Sequence, residues 1–422
     1  MRIQLSPARL AGRVPAIPSK SYLHRAMICA ALSDGRCRIN GRVDSEDVAA
    51  TMRALRALGC SVESEPGGYA LTPGPAPASA EIFCGESGST LRFLTPVAAA
   101  LGVPALFTGA GRLPERPMEP MLSLLGQNGV EVRRKGADSL PFSLNGRLKS
   151  GEYTLPGNIS SQFITGLLLA LPLCEGDSSV RVLPPFESRP YVELTVEVMN
   201  RFGVDVREKD GVFFVRGGRR YRACSIDAEG DWSSAAFWLC AGALGGDVTV
   251  TGLSMASKQA DRAIVGLLRA MGADVLESGF GVGARASDLA GIDIDASQTP
   301  DLVPVLAVCG AFAHGVTRIT GAARLRLKES DRLYAVARTL NALGANISQR
   351  DDGLVVTGGS RLDGGTAEGY NDHRIVMALA VAALGCRGSV TIDGAQCVKK
   401  SYPGFFDHYR ALGGVAYELD MG

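Results

Sequence analysis

The segment LRLKESDR, residues 325–332, concentrates charged side chains where a helix is predicted to begin, since apolar residues follow at helical spacing as far as Leu340. The N-terminal end of a helix already carries partial positive charge. The cations Lys328 and Arg332 are therefore best tolerated there when an anion lies between them. The segment predicts a site for carboxylate or phosphate. A solvated helix start with a mildly repulsive Lys328–Arg332 pair is the alternative.

Charged and polar side chains recur at other predicted helix starts along the chain. At any one site, a surface cation is the simpler interpretation. Recurrence at matching positions favours a shared role, because arginine grips carboxylate or phosphate in two places and lysine adds a mobile point charge. If these starts face one place, their unpaired cations predict a cleft for a multiply anionic ligand. The residues at these starts are Lys20, Ser21, Arg25, Gly88, Arg92, Arg116, Ser160, Ser161, Gln162, Ser188, Arg189, Asp231, Ser233, Asp301, Lys328, Glu329, Arg332, Asp372, His373, Arg374 and Lys400.

The composition argues against several classes of partner. With 44 basic and 43 acidic residues the net charge is +1, and no basic tract is interleaved with aromatic residues, so we expect no nucleic-acid partner. Ten cysteines, mostly in apolar runs and without a CxxC pair, predict reduced core residues of a cytoplasmic protein. No spaced set of His, Cys and Asp predicts a metal site, and we expect no cofactor.

No stretch of the chain is typical of a membrane span or a targeting segment. The longest apolar runs, such as 163–173 and 375–385, are about half the roughly 20 residues that a span needs. The first residues, MRIQL, already resemble a strand, which leaves no room for a signal or transit peptide. We therefore expect no membrane partner.

A repeat of about 70 residues gives the strongest architectural signal. In each copy an amphipathic helix ends in an apolar residue, a glycine follows, and a short strand of alternating apolar residues comes next. Each glycine suits the left-handed position that ends a helix. The six glycines are Gly59, Gly129, Gly203, Gly272, Gly344 and Gly413.

A second helix recurs with the same period. It has a polar start and a body that is apolar on nearly all sides, so it must be buried. Strand-like stretches separate the two helices, which indicates α/β layers. Six units in 422 residues favour two lobes of three units. The buried helices are predicted to begin near Ser19, Glu86, Asn158, Gly230, Thr299 and Asn371.

Ten short motifs, spread over essentially the whole chain, resemble those of the 5-enolpyruvylshikimate-3-phosphate synthase family in order and spacing. They are PSKSYLHR, GESGSTLRFL, ERPMEP, ISSQF, SRPY, EGDWSSA, PDL, LRLKESDR, NDHR and KKSYPGFF. The resemblance implies an α/β, two-lobed enolpyruvyl-transferase fold of six βαβαββ units, three per lobe. It implies a discontinuous lobe, residues 1–17 with 229–422, and a continuous lobe, residues 18–228, which close over an active site in the cleft between them. The crossovers would lie near residues 15–18 and 228–230.

The resemblance also implies the reaction. The enolpyruvyl group of phosphoenolpyruvate is transferred to the 5-hydroxyl of shikimate 3-phosphate, with release of phosphate through a tetrahedral intermediate, in the shikimate pathway to chorismate and aromatic amino acids. We expect a cytoplasmic monomer whose partners are these two anionic substrates. The residues implied for shikimate 3-phosphate are Lys20, Ser21, Arg25, Ser160, Ser161, Gln162, Ser188, Asp301 and Lys328. Those implied for phosphoenolpyruvate are Lys20, Gly88, Arg116, Gln162, Arg332, Arg374 and Lys400, with His373 and Arg324 as further candidates.

The implied reaction needs two proton transfers. An acid protonates the C3 methylene of phosphoenolpyruvate and later removes a proton from the resulting methyl, while a base takes the hydroxyl proton. We assign Glu329, aided by Lys20, to the first role and Asp301 to the second. A helix cap is the alternative role for either carboxylate.

Three residues depart from the family's usual pattern, and two other functions compete with this one. Glu86 replaces Asn, Phe93 replaces Pro and Arg324 replaces Asn, which we expect to affect affinity more than the reaction. The sister UDP-N-acetylglucosamine enolpyruvyl transferases carry a reactive Cys before the ERP-type arginine, where this chain has GAGRLPER. An RNA-end-processing enzyme or anion-binding module on related repeats is opposed by the balanced charge.

Overall fold

The computed structural model describes residues 1–136, 138–359 and 361–419. Contacts between Cα atoms divide the chain into two units. The discontinuous unit comprises Met1–Ile17 and Glu229–Gly422, and the continuous unit comprises Pro18–Ala228. The chain therefore leaves the discontinuous unit after its first two strands and returns to it after residue 228.

Within the described ranges, the strands form six four-stranded sheets, three in each unit. In every sheet, the two strands at one edge are parallel neighbours, here counted as its first two strands, and the two strands at the other edge are antiparallel. A helix follows each of the first two strands, so the repeated unit is βαβαββ. This confirms the predicted α/β fold of six units.

The sheets of the continuous unit are, in spatial order, β14 (Ser225–Asp227), β3 (Cys37–Asn40), β5 (Gly68–Thr72) and β4 (Ser61–Glu65); β6 (Ala80–Phe83), β7 (Ala105–Thr108), β9 (Phe142–Gly146) and β8 (Val130–Arg134); and β10 (Glu152–Pro156), β11 (Ser178–Leu183), β13 (Val212–Val215) and β12 (Val206–Lys209). Those of the discontinuous unit are β16 (Asp274–Ser278), β17 (Gly281–Arg285), β15 (Asp247–Thr251) and β2 (Ala11–Pro15); β18 (Asp293–Asp295), β19 (Val316–Thr320), β21 (Gly353–Thr357) and β20 (Asn346–Arg350); and β22 (Gly365–Glu368), β23 (Val390–Asp393), β1 (Arg2–Ser6) and β24 (Val415–Leu419).

The two helices of each βαβαββ repeat differ in burial, as their sequence patterns predict. One is buried along nearly its whole length, and in the discontinuous unit the three buried helices pack against one another. The other is amphipathic. The buried helices are α1 (Lys20–Ala31), α3 (Gly88–Leu101), α5 (Ser161–Ala170), α7 (Trp232–Ala243), α9 (Val303–Phe312) and α11 (His373–Ala383). The amphipathic helices are α2 (Glu46–Ala57), α4 (Glu119–Gln127), α6 (Arg189–Arg201), α8 (Ile264–Ala270), α10 (Arg332–Ala342) and α12 (Phe405–Ala411).

Polar caps set where most buried helices begin. Ser19, Ser87, Ser160, Asp231 and Asp372 each accept a hydrogen bond from a backbone N–H of the helix that follows. Short 3₁₀ helices precede or follow several α-helices, at Leu113–Glu115, Leu171–Leu173, Ala260–Ala263, Pro300–Leu302, Ala323–Leu327 and Ala395–Lys400. All six repeat glycines have left-handed φ values, between 78° and 101°, and each lies two residues after the last residue of an amphipathic helix. The predicted helix ends are thereby confirmed.

The prediction that LRLKESDR begins a helix is wrong in its first half. Residues Ala323–Leu327 form a 3₁₀ helix and Lys328 caps its end, while α10 begins only at Arg332. Asp331 is the N-cap of α10 and accepts a hydrogen bond from Tyr334 N. Lys328 and Arg332 are therefore not one turn apart on a common helix.

Two further features of the fold are the length of its helices and the burial of its cysteines. In the ranges given above, no helix is both long enough and apolar enough to cross a membrane. All ten cysteines are free thiols, and nine are buried. Burial raises the thiol pKa, for example to about 12 for Cys84, so these residues act as small core side chains.

Candidate active site

In the discontinuous unit, Arg332 lies among three carboxylates. Its Nη1 donates to Asp301 Oδ1 at 2.8 Å, its Nη2 to Glu329 Oε2 at 2.6 Å and its Nε to Asp372 Oδ2 at 2.8 Å. Arg374 Nη2 donates to the other oxygen of Asp301 at 2.9 Å. These five residues, here called the Arg332 cluster, come from the 3₁₀ helix before α9 and from the starts of α10 and α11.

The charges of the cluster keep Asp301 ionised. Burial alone would raise the pKa of Asp301. The positive charges of Arg374, Lys328 and Arg332 together outweigh burial, although Glu329 opposes them, so the pKa lies well below its usual range. Asp301 is therefore a carboxylate across the neutral range.

The same contacts correct the prediction that the cations at helix starts are unpaired. The Arg332 side chain is only 2% exposed, and burial alone would lower its pKa. The negative charges of Asp372, Glu329 and Asp301 reverse that effect and raise the pKa. The anions that make a cation tolerable at this helix start are thus carboxylates of the chain itself.

Three other predicted residues of this unit are Lys400, His373 and Arg324. Lys400 Nζ donates to the backbone O of Asn371 at 2.6 Å, directly before Asp372 in the chain. Lys400 ends a 3₁₀ helix and does not begin α12, which corrects its predicted position. His373 is the buried first residue of α11, and Arg324 Nη2 donates to the backbone O of Ser297 at 2.7 Å.

In the continuous unit, Lys20 is also paired with a carboxylate. Lys20 is the first residue of α1, and its Nζ lies 2.6 Å from Asp47 Oδ2 in the first turn of α2. One turn along α1, His24 Nδ1 lies 2.7 Å from Thr51 Oγ1. Burial, with the charges of Lys20 and Arg25, lowers the pKa of His24, so His24 is neutral and structural at neutral pH.

Arg25 joins three helices of the continuous unit. Its Nε donates to Thr195 Oγ1 at 2.8 Å and its Nη2 to the backbone O of Tyr191 at 2.9 Å, both on α6. Its Nη2 also lies 3.5 Å from Thr165 Oγ1 on α5. The guanidinium lies 5.0 Å from the ring centre of Phe93, so this departure from the family pattern supplies a cation–π contact.

Gln162 links the starts of α5 and α3. Its Oε1 accepts from Arg92 Nη1 at 2.8 Å, and its Nε2 donates to Ser89 Oγ at 3.0 Å. Ser160 caps α5 and accepts from Gln162 N at 3.3 Å. Arg92 appeared among the charged helix starts but not among the implied ligands, and the structure makes it the side chain that orients Gln162.

Arg116 lies directly against Gly88, the first residue of α3. A Cβ placed on Gly88 would be 2.8 Å from Nη2 and 2.9 Å from Cζ and Nη1 of Arg116. Arg116 caps a 3₁₀ helix and does not begin α4, contrary to prediction. Ser161 begins α5, Ser188 is the buried N-cap of α6 with φ of 53°, and the backbone O of Ser21 accepts from Arg25 Nη1 at 2.7 Å.

Two carboxylates central to this geometry were missing from the predicted set of ligands. Asp47 pairs with Lys20, and Asp372 pairs with Arg332. Each lies in the first turn or at the cap of a helix, where an acidic residue is ordinary, so neither had a distinguishing sequence signal. The NDHR motif pointed to Asp372 only through the neighbouring Arg374.

Asp261 is a further buried acid close to the Arg332 cluster. It is 1% exposed and accepts a hydrogen bond from Ser233 Oγ. Burial, with the negative charge of Asp301, raises the pKa of Asp261 to about 6, although Arg374 and Ser233 oppose the rise. Since the folded chain then holds this proton more tightly than the unfolded chain, stability falls as pH rises from about 4 through 6.

We therefore expect Asp261→Asn to raise the free energy of unfolding at pH 8, by at most about 3 kcal/mol, and to give no gain at pH 4. Urea unfolding at both pH values would measure this. Asp293→Asn, at a carboxylate that is 77% exposed, is the control and should change little at either pH. An equal effect of Asp261→Asn at pH 4 and pH 8 would contradict the raised pKa.

Among the residues that the structure describes, no group of three or more His, Cys, Asp or Glu side chains is arranged to hold a metal ion. The acids of the Arg332 cluster face guanidinium groups instead. The Arg332 cluster and the polar side chains of the continuous unit can bind anionic groups through arginine and lysine and can move protons through carboxylates.

Comparisons with known proteins agree on one family. The family model of EPSP synthase (3-phosphoshikimate 1-carboxyvinyltransferase) matches residues 5–409. The 3-phosphoshikimate 1-carboxyvinyltransferase of Clostridium kluyveri is 42% identical over 426 aligned residues, covering 100% of this chain and 99% of that protein. The enzyme of the same name from Clostridium acetobutylicum is 41% identical with the same coverage.

Solved structures give the same result for the fold. The EPSP synthase from Acinetobacter baumannii superimposes with a TM-score of 0.83 at 28% identity, covering 99% of this chain and 100% of that one. The enolpyruvyl transferase NikO from Streptomyces tendae superimposes with a TM-score of 0.79 at 21% identity, covering 99% and 98%. The second likeness is one of fold alone.

Proposed function

The chain belongs to the EPSP synthase (3-phosphoshikimate 1-carboxyvinyltransferase) family, and from this we infer that it transfers the enolpyruvyl group of phosphoenolpyruvate to the 5-hydroxyl of shikimate 3-phosphate. Phosphate is released, and the product lies on the shikimate pathway. The observation that carries the proposal is the Arg332 cluster, because it combines two arginines that can hold anions with two partly exposed carboxylates that can move protons.

The carboxylates supply the proton transfers that the reaction needs. Asp301 takes the proton of the 5-hydroxyl as its oxygen attacks C2 of phosphoenolpyruvate. Glu329, aided by Lys20, protonates C3, which gives a tetrahedral intermediate. Glu329 then removes a proton from the new methyl group while the C–O bond to phosphate breaks. Preorganised positive charge stabilises both the intermediate and the leaving phosphate.

The anionic groups of the substrates are assigned to the cations described above. Charge-assisted hydrogen bonds of this kind contribute about 1.5 to 3 kcal/mol each. For shikimate 3-phosphate, we assign Lys20, Ser21, Arg25, Ser160, Ser161, Gln162, Ser188, Asp301 and Lys328. For phosphoenolpyruvate, we assign Lys20, Gly88, Arg116, Gln162, Arg332, Arg374 and Lys400, and we keep His373 and Arg324 as candidates.

These assignments draw on both units, so the proposal requires that one pair of substrates contacts side chains of each. We keep the predicted cleft between two lobes, residues 1–17 with 229–422 and residues 18–228, as the place of reaction. Closure of the lobes would exclude water from the developing charges. We also propose a cytoplasmic monomer, which the free, buried thiols support for the compartment. Sedimentation would test the monomer.

The deciding experiment follows phosphate release by the purified protein. We expect release only when both phosphoenolpyruvate and shikimate 3-phosphate are present, and unchanged rates with excess EDTA. UDP-N-acetylglucosamine in place of shikimate 3-phosphate is the control acceptor and should give none. Release with that acceptor, or no release with shikimate 3-phosphate, would overturn the proposed function.

Gly88→Ala should weaken binding of phosphoenolpyruvate while the protein still folds. The added methyl overlaps the guanidinium of Arg116, which can move because it is the end of a flexible side chain. Loss of one charge-assisted hydrogen bond predicts a KM for phosphoenolpyruvate about 10- to 100-fold higher, with little change for shikimate 3-phosphate.

Gly126→Ala is the matched control for Gly88→Ala. Gly126 lies in α4 of the same unit, and a methyl group there would meet no atom within 4 Å. Steady-state kinetics with each substrate varied in turn would measure both variants. Equal KM values for phosphoenolpyruvate in Gly88→Ala and the unmodified protein would show that Arg116 does not bind this substrate.

A further inference from the structure

Asp372 is the most deeply buried carboxylate in contact with Arg332. Its side chain is 0% exposed, whereas those of Asp301 and Glu329 are 18% and 16% exposed. A carboxylate without access to water must satisfy its oxygens within the protein, and it cannot turn towards solvent when its partners change. Asp372 is therefore a permanent contact of Arg332.

Four donors fix the orientation of Asp372. Arg332 donates from Nε to Oδ2 at 2.8 Å and from Nη2 to Oδ1 at 3.4 Å, so it uses both oxygens. Ser330 Oγ donates to Oδ2 at 3.0 Å, and the backbone N of Arg374 donates to Oδ1 at 3.0 Å. These hydrogen bonds fix the orientation of the Arg332 guanidinium through its Nε–Nη2 edge.

The remaining N–H groups of Arg332 point at the two proposed catalytic acids. One N–H of Nη1 goes to Asp301 at 2.8 Å, and Nη2 shares its two between Glu329 at 2.6 Å and Asp372. Four of the five N–H groups of a guanidinium are thus directed at carboxylates of the chain. A substrate anion that binds Arg332 through two hydrogen bonds must displace Asp301 or Glu329.

We propose that Asp372 is a positioning residue for the transfer reaction: it keeps Arg332 in one orientation while the anionic substrate replaces Asp301 or Glu329 as an acceptor of hydrogen bonds from Arg332. This inference rests on the proposed function, through the assignment of Arg332 to phosphoenolpyruvate. Exchange at Arg332 frees at least one of the two acids for proton transfer, and only when the substrate is bound. The guanidinium remains aligned throughout because its Nε edge stays on Asp372.

The competing role for Asp372 is that of an ordinary helix cap, since it is the N-cap of α11. Asparagine caps helices about as well as aspartate, but it offers Arg332 no charge. Asp372→Asn therefore removes the negative charge and one of the two acceptors that face Arg332, and it keeps the cap. Asp331→Asn is the matched control, because Asp331 caps α10 in the same way and pairs with Arg326 rather than Arg332.

For Asp372→Asn we expect the KM for phosphoenolpyruvate to rise about tenfold or more and kcat to fall, with the Kd of shikimate 3-phosphate changed by at most about threefold. Asp331→Asn should leave all three values nearly unchanged. Steady-state kinetics and calorimetric titration of shikimate 3-phosphate would measure them. A KM within about twofold of the unmodified protein, or equal losses for both substrates, would overturn the inference.

Ser330→Ala tests the same inference if Asp372→Asn does not fold. It removes one donor to Asp372 and leaves the charge in place, so we expect a smaller rise in the same KM, about threefold. No rise would overturn the inference. The unmodified protein distinguishes the two levels of the proposal: if it releases no phosphate from both substrates, the proposed function and this inference fail together. Normal release with unaffected variants removes only the role of Asp372.

Discussion

Replacing Asp301 with asparagine should slow phosphate release by about 10²- to 10⁴-fold, the range that a positioned acid or base contributes. Asparagine has nearly the same shape and can still accept one hydrogen bond from Arg332 or Arg374. It cannot take the proton of the 5-hydroxyl. The loss should therefore appear mainly in kcat, measured by phosphate release at saturating concentrations of both substrates.

The surroundings of Asp301 explain why its role depends on the substrates. Arg332 and Arg374 each donate to one of its oxygens, and their charges hold its pKa below the usual range. A carboxylate of low pKa is a weak base. When anionic groups of the substrates take over N–H donors of these arginines, the pKa of Asp301 rises, and it becomes a better base at the moment of reaction.

Asp331→Asn is also the control for Asp301→Asn, since it removes a carboxylate of the same unit that forms its ion pair with Arg326 and not with Arg332. Thermal unfolding of each variant would separate a loss of catalysis from a loss of folded protein. If Asp301→Asn keeps the kcat of the unmodified protein, Asp301 is not the base. Its role would then be that of a helix cap, the alternative that its sequence position allows.

The repeated architecture could be predicted from sequence because its signals are local. Each βαβαββ repeat has a buried helix, an amphipathic helix and a glycine at the end of the amphipathic helix, such as Gly344 with φ of 101°. The predicted start of α10 lies too early in the chain because it was based on the charges from Lys328 onwards. The N-cap signal is Asp331, which lies three residues before Tyr334 and accepts its backbone N–H. Capping chemistry located the helix better than charge did.

The pairing of charges could not be predicted in the same way. Arg332 meets Asp301 and Asp372, which lie 31 and 40 residues away in the chain, because α9, α10 and α11 pack together. Sequence spacing fixes which residues begin each helix, but the packing of helices decides which beginnings meet. The sequence therefore named most residues of the cluster, but it did not show which of them pair with one another.

Glu329→Gln should also slow phosphate release by about 10²- to 10⁴-fold, for a different reason. Glu329 is assigned to the proton that reaches C3 of phosphoenolpyruvate and leaves again from the methyl group. Its Oε2 accepts from Arg332 Nη2 at 2.6 Å, and glutamine can keep an acceptor there. The variant therefore removes proton transfer and retains much of the contact with Arg332.

Deuterated water tests the proton transfer at C3 that is assigned to Glu329. A methyl group formed at C3 can rotate before it loses a proton, so the unmodified protein should introduce deuterium at C3 of the product, measured by mass spectrometry. Because every turnover passes through this methyl group, Glu329→Gln should lower the rate of deuterium uptake in parallel with kcat. Glu277→Gln, at an exposed carboxylate 2.8 Å from Arg269, is the control and should change neither quantity. Deuterium uptake by Glu329→Gln at the rate of the unmodified protein would assign the C3 proton to another group, because the residue that delivers and removes this proton sets the rate at which solvent hydrogen reaches the methyl carbon.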